Sequence, residues 1–299
     1  MTSAVTHSSL YQRGGDAFRA AWLAEHRTFA RAETAELRLP QQWENDALVV
    51  AFPASPFDTT LEMDEPRPTP LTLVSGGADG AAYCWASQAV ERQLPVLICT
   101  FAGHHRQAPV GTDVHLVKLQ TGHYTQFERD LNVAAARLGR PRVGSMPAYV
   151  RKLLMRNALI ARRSQVMLAV IERPPHEPVM GRHPRSLEAR DWDCGVPGGT
   201  GWTVQLCCDL AIAHHRQPRL AIFVQSTTQW YMAQLDFEQQ SVVWRPVACP
   251  IDAVLCQGSI VLPQRVGGVG VRGLRQTGRV AINCTVQALQ TLYADRPAS

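Results

Sequence analysis

Lysine is nearly missing from this chain: Lys118 and Lys152 are the only two among 30 basic residues. The net charge of +5 and the pI of 8.9 are therefore the work of arginine. Such a balance suits a polyanion binder, but an arginine-rich solvated surface set by base composition produces it equally well. Long apolar runs are missing too. A bilayer span needs about 18 consecutive apolar residues, whereas the longest runs here (47–52, 94–102, 166–171 and 220–224) are strand-sized. No membrane partner is expected. The N-terminus has neither a basic stretch nor an apolar one behind it, so the sequence reads as a cytoplasmic protein with reduced thiols. The eight cysteines include no CxxC pair. The adjacent Cys207 and Cys208 diverge on a helix, which leaves the cysteines as small buried hydrophobes. No GxSxG elbow and no 20–50-residue repeat occurs, so a serine-hydrolase elbow and a solenoid are both excluded. The histidine pairs His104-His105 and His214-His215, with His176 and His183, lack ligand spacing, and neither a metal nor a cofactor is expected.

What is present is a chain that is 45% hydrophobic and only 18% charged, enough for a full core. Asp16 to Leu37 can align Phe18, Trp22 and Phe29 on one helical face, giving an N-terminal helical extension over residues 1–45. A strand from Asp46 to Phe52 and a proline-rich loop from Pro53 to Pro70 follow. The main domain, residues 46–299, then alternates strands and helices. Leu71 to Ser75 is a strand, Ala81 to Arg92 a helix and Pro95 to Phe101 a strand, a βαβ unit whose strands are apolar on both faces. Residues 104–126 read as irregular, Phe127 to Leu138 and Pro147 to Arg163 as helices, and Val166 to Ile171 as a strand. A loop from Glu172 to Gly195 is placed to cover a site. Val204 to Ala213 reads as a helix and Arg219 to Gln225 as a strand. A hairpin spans about 229–246, where Trp230, Tyr231 and Trp244 suit core packing better than base stacking. A strand, turn and helix span about 260–294. The fold class is α/β: a Rossmann-like open, mostly parallel sheet with helices on both faces.

Two glycine-rich turns carry the chemistry. Gly76, Gly77 and Gly80 allow positive φ and close backbone approach, and a helix starting at Ala81 aims N–H groups back at the turn. That geometry holds phosphate or carboxylate at the carboxyl edge of a sheet. Gly198, Gly199 and Gly201 repeat it and add the hydroxyls of Thr200 and Thr203. Glycines that merely close tight turns explain either segment alone; two converging turns favour a nucleotide or sugar phosphate. Arg156 lies on the helix before the strand Val166 to Ile171, within reach of the strand ends, and can pair a phosphate bidentately. Lys152 and Arg163 could extend a basic face. The formal GxGxxG of Gly268 to Gly273 has no acidic residue at the distance an NAD site needs.

Ser75-Gly-Gly-Ala-Asp-Gly80, Arg156-Asn-Ala-Leu-Ile-Ala161 and Gly198-Gly-Thr-Gly-Trp-Thr203 together resemble the successive signatures of the SLOG superfamily. These Rossmann-like proteins include DprA-type DNA-processing proteins, LOG-type phosphoribohydrolases and YspA-like proteins. The resemblance covers about residues 70–225. It implies that Gly76, Gly77, Arg156, Asn157, Gly198, Gly199, Thr200 and Gly201 line a nucleotide-related site. Departures bear on catalysis. LOG-type enzymes carry glutamates where this chain has Val204 and Gln205, and YspA-like proteins an aspartate where it has Ala82. Asp79 and Glu172 are the remaining candidate catalytic carboxylates. Val266 to Gly273 resembles the first strand and turn of other superfamily members, yet it follows rather than precedes the Ser75 element. A circularly permuted order would set this strand beside Leu71 to Ser75 and bring Arg272 to the site.

The expected function is binding, with processing left open, of a nucleotide or nucleotide-derived small molecule. One alternative is a LOG-type phosphoribohydrolase or N-glycosidase using Asp79 or Glu172. The other is DprA-like DNA binding, in which nucleic acid is the partner; it is not favoured. Homo-oligomerisation is left open.

Overall fold

The computed structural model describes residues 15–21, 24, 71–102, 104, 109–111, 113–176, 191–251 and 263–294. The expected strand at 46–52, the proline-rich loop at 53–70, most of the helix to Leu37 and the middle of the 172–195 loop lie outside the described residues. Among the described residues eight strands form one sheet: β1 (Thr72–Ser75), β2 (Val96–Thr100), β3 (Val114–Lys118), β4 (Val166–Ile171), β5 (Leu220–Val224), β6 (Gln229–Asp236), β7 (Ser241–Val247) and β8 (Arg265–Gly270). Their order is β3-β2-β1-β8-β4-β5-β6-β7. The strands from β3 to β5 in that order are parallel, and the β6–β7 hairpin joins antiparallel at the β5 edge. The α/β Rossmann-like class holds.

Helices cover both faces. Residues 15–21 (α1), α2 (Ala81–Glu91) and α6 (Gln276–Tyr293) pack on one side, with Phe18, Trp85, Ile282 and Leu289 in the same core as Leu73, Leu168 and Phe223. On the other side α3 (Tyr124–Arg137), α4 (Ala148–Arg163) and α5 (Gly198–Ala213) bury Phe127, Met155, Leu159 and Leu206 against Val74, Leu97, Ala169 and Ile222. Consecutive residues of each strand thus serve opposite cores, as a period-2 backbone covered on both sides requires.

The C-terminal strand sits beside β1, with Thr72 opposite Arg265 and Ser75 opposite Gly268, and its other edge pairs with β4. Its glycines explain how helices approach so closely. A Cβ on Gly267 would press on the Met167 methyl at 2.7 Å, and one on Gly268 would lie 2.5 Å from Cγ of Trp85. Trp85 is fully buried there, and its indole N–H donates to the Val269 carbonyl at 3.2 Å.

Two expectations need correcting. Residues 104–126 are not irregular throughout, since Val114–Lys118 forms the edge strand β3. Its mixed, half-exposed pattern hid it, because an edge strand need not be apolar. The segment from Gly198 is not a turn ahead of a helix starting at Val204; it is the first turn of α5. Gly198 enters with φ +70°, and a side chain on Gly201 would run into the Val196 carbonyl, so glycine lets the incoming strand of chain lie against the helix.

One buried ion pair has a pH signature. Asp209 on α5 accepts from Arg137 on α3 and from Gln205 Nε2 at 2.8 Å. Burial outweighs the Arg137 guanidinium and raises the Asp209 carboxyl above 3.8. A raised carboxyl means that the folded state holds more protons than the unfolded chain in that interval, so stability is lost as pH rises from 3.8 through the shifted value. Denaturant titrations at a series of pH values should show the wild type losing stability relative to Asp209→Asn across that window and running parallel to it above. A constant difference throughout would contradict this assignment.

Candidate functional site

The sheet changes direction at β8. The β1-to-β2 crossover runs one way through α2 on one face, and the β4-to-β5 crossover runs the other way through α5 on the opposite face. The carboxyl ends of β1, β8 and β4 therefore meet at a topological switch point, the place where α/β sheets form a ligand crevice.

Arg156 lies in this crevice. It sits on the inner face of α4 with 7% of its surface exposed. One terminal nitrogen, Nη1, faces the Gly76 carbonyl at 3.3 Å and His104 Nε2 at 3.1 Å, and Nη2 donates to Asn157 Oδ1 at 2.8 Å. Among the described residues no carboxylate meets this guanidinium, and its Nε has no hydrogen-bond partner. Burial, with the charge of Arg272 adding to it, lowers the guanidinium to about 10, so it remains a cation at neutral pH. Four other arginines differ: Arg137, Arg151, Arg162 and Arg275 meet Asp209, Glu128, Asp130 and Glu172. A buried cation without an anionic partner is costly, and an incoming anion offsets that cost.

The β1 turn is shaped around this group. A Cβ on Gly76 would stand 2.9 Å from Cζ of Arg156, so glycine lets the guanidinium lie flat on the backbone. Gly77 and Gly80 take φ of +58° and +90°. A Cβ on Gly80 would also meet the Val271 carbonyl at 2.5 Å, where the β8–α6 turn closes over the α2 N-terminus. Not all the N–H groups there are open to a ligand. Ala81 donates to the Val271 carbonyl at 2.9 Å and Tyr83 to Ala78 at 3.0 Å. Ser75 is fully buried, its hydroxyl 2.8 Å from the carbonyls of both Ala82 and Gly268, so it ties β1, α2 and β8 together.

The contacts of the α5 start form a separate cluster. Arg140 donates to Gly198 O at 2.8 Å and Val196 O at 3.1 Å and lies 5.3 Å over the Trp202 ring. Gly198 and Gly199 are exposed, Thr200 is buried, and Thr203 is 1% exposed with a hydroxyl that has no hydrogen-bond partner. Gln205 is fully buried and holds Cys194 N at 2.9 Å, Trp192 O at 2.9 Å and Asp209. At this position the side chain pins the 192–194 segment to α5, a task that an amide performs and a carboxylate could not.

The two candidate carboxylates are placed differently. Asp79 is exposed in the β1 turn. Glu172 follows β4 and is engaged at both oxygens, by Arg275 and by Gln225 Nε2 at 2.9 Å. Gln225 also accepts from Arg275 N at 2.7 Å and donates to Gly273 O at 3.2 Å. Glu172 thereby fastens the turn that carries the exposed Arg272. Sequence reasoning missed His104, because an adjacent histidine pair gives no sign that one ring will meet a guanidinium 52 residues away. Among the described residues no group of three or more His, Cys, Asp or Glu could hold a metal, and no helix is long and apolar enough to cross a membrane. Comparison with protein-family models, curated proteins and solved structures finds no match for the chain.

Proposed function

We propose that the protein binds a nucleotide or nucleotide-derived small molecule, with a phosphate seated between the Gly76–Gly80 turn and Arg156. The observation that carries this reading is Arg156: a buried cation that meets no carboxylate among the described residues, at a switch-point crevice, with a second cation, Arg272, nearby. Asn157 and His104 position the guanidinium; Glu172, through Arg275, positions the turn bearing Arg272. Resemblance to the SLOG superfamily supports the nucleotide over other phosphates, and the pairing of β8 with β1 fits a permuted order of its elements.

Binding is the part the geometry supports; hydrolysis would fall to Asp79, since both oxygens of Glu172 are engaged. Isothermal titration with the four ribonucleoside monophosphates should give saturable binding to at least one, weakening as salt rises. Chromatography of the same mixtures for free base then separates binding from N-glycosidase turnover. Base release lost in Asp79→Asn would add catalysis to the reading. No binding of any monophosphate at low salt would reject it.

A further inference from the structure

Resting on this reading of the crevice, we propose that Tyr149, backed by Phe101 and two helical turns before Arg156, is the stacking platform for a nucleobase, so that the site selects nucleotides over sugar phosphates. Tyr149 is the second residue of α4 and is 44% exposed, unlike the aromatic residues of the core. It precedes Arg156 by two helical turns, about 10 Å along the axis, and so shares its face. Side chains on a helix lean toward its N-terminus, which tilts the guanidinium toward the tyrosine ring.

The ring is held in place. Phe101, at the end of β2 and 5% exposed, meets Tyr149 edge-on with centroids 5.8 Å apart. Phe101 also packs on the His104 ring at 4.8 Å, and His104 in turn touches Arg156. A chain of contacts therefore links the guanidinium, through His104 and Phe101, to the exposed Tyr149 ring. The edge contact fixes the orientation of Tyr149 while leaving much of the ring in solvent, which is the arrangement a planar base can use. Base–aromatic stacking worth about 1.4 kcal/mol corresponds to a tenfold gain in affinity.

The test is calorimetric titration of AMP, CMP, GMP, UMP and ribose 5-phosphate into wild type, Tyr149→Ala, Tyr149→Phe and Arg156→Met, each checked for folding by circular dichroism. At least one monophosphate should bind wild type about tenfold more tightly than ribose 5-phosphate. Tyr149→Ala should erase that margin and leave ribose 5-phosphate unchanged, and Tyr149→Phe should keep it. The platform is overturned if no monophosphate exceeds ribose 5-phosphate, if Tyr149→Ala weakens both ligands equally, or if it changes neither. Failure of the underlying phosphate site is a distinct result: ribose 5-phosphate and monophosphates would then bind Arg156→Met as they bind wild type. Binding of none of the five to wild type would overturn both.

Discussion

Replacing Arg156 with methionine should reduce nucleotide affinity about 100-fold while leaving the protein at least as resistant to heat. The two halves of this expectation have one cause. In the free protein the guanidinium is removed from water and among the described residues receives the Gly76 carbonyl, His104 and Asn157 in return. Hydrogen bonds to charged groups contribute about 1.5–3 kcal/mol, and a paired phosphate gains this from Arg156 in a region of weak screening. About 2.7 kcal/mol corresponds to the 100-fold loss. Methionine fills similar volume without charge, removing the desolvation cost, and Asn157, only half-buried, can turn to water. The check is a thermal melt with and without AMP. Ligand at 100 times its Kd stabilises the wild type by about 2.7 kcal/mol, roughly 5–10 °C at about 2–4 °C per kcal/mol for a chain of this size class. Arg156→Met should show no such rise from a starting temperature equal to or above that of wild type. A mutant that melts far below wild type would mean that Arg156 holds the fold together; a mutant that keeps the full rise would remove it from the site.

The second large effect concerns the glycines of the central strand. Gly268→Ala should destabilise the protein by about 3 kcal/mol, a severe result for one methyl group. The added Cβ would lie 2.5 Å from Cγ and 2.8 Å from Cβ of Trp85, which has no room to retreat because it is fully buried between α2 and the sheet. Overpacking of this kind costs about 1–3 kcal/mol, more where the backbone has to move. Trp85→Ala should cost about 3–5 kcal/mol by opening a cavity, and it also removes the donor to Val269. Because the two residues occupy one space, their effects should not add. Urea denaturation of both single mutants and the double mutant should find the double mutant at least 1 kcal/mol more stable than the sum predicts, since deletion of the indole frees the place that the new methyl needs. Relief is partial, as the Cβ of residue 85 remains. Additive effects would show that the close approach of Gly268 and Trp85 is not what makes glycine necessary there.

These residues also show what was legible in the sequence. The βαβ unit, the strand Val166–Ile171 and the helices on either side of it announce themselves through apolar runs and glycine turns, because both faces of a parallel sheet must be buried. Val114–Lys118 did not, since this edge strand is only partly covered, with Leu116 and Lys118 exposed, and reads as a mixed loop. The position of β8 was available only through resemblance: Arg265–Gly270 holds three glycines in six residues, a composition that argues against a central strand until Trp85 and Ser164 are found against them. Arg156 was legible as a candidate, but its lack of an anionic partner was not. That depends on Asn157, Gly76 and His104 converging from three segments, and no local pattern encodes such a meeting. Ser75 and Glu172 show the converse. Both have residue types suited to binding or catalysis, and both are occupied in fastening the turns that frame the crevice.

The placement of β8 sets the order in which this molecule can be completed during synthesis. Its hydrogen-bonded neighbours β1 and β4 emerge long before it, and Ser75 waits for a partner 193 residues downstream. Until then the nascent chain holds two partial sheets, β1–β3 and β4–β7, each with an unsatisfied edge of the kind that pairs indiscriminately. The last strand is the keystone: it joins the halves, seals both edges and sets the carboxyl ends of β1 and β4 at the separation that makes the crevice. A nascent chain stalled before residue 265 would therefore hold Arg156 and the Gly76–Gly80 turn but not the strand that sets them against each other.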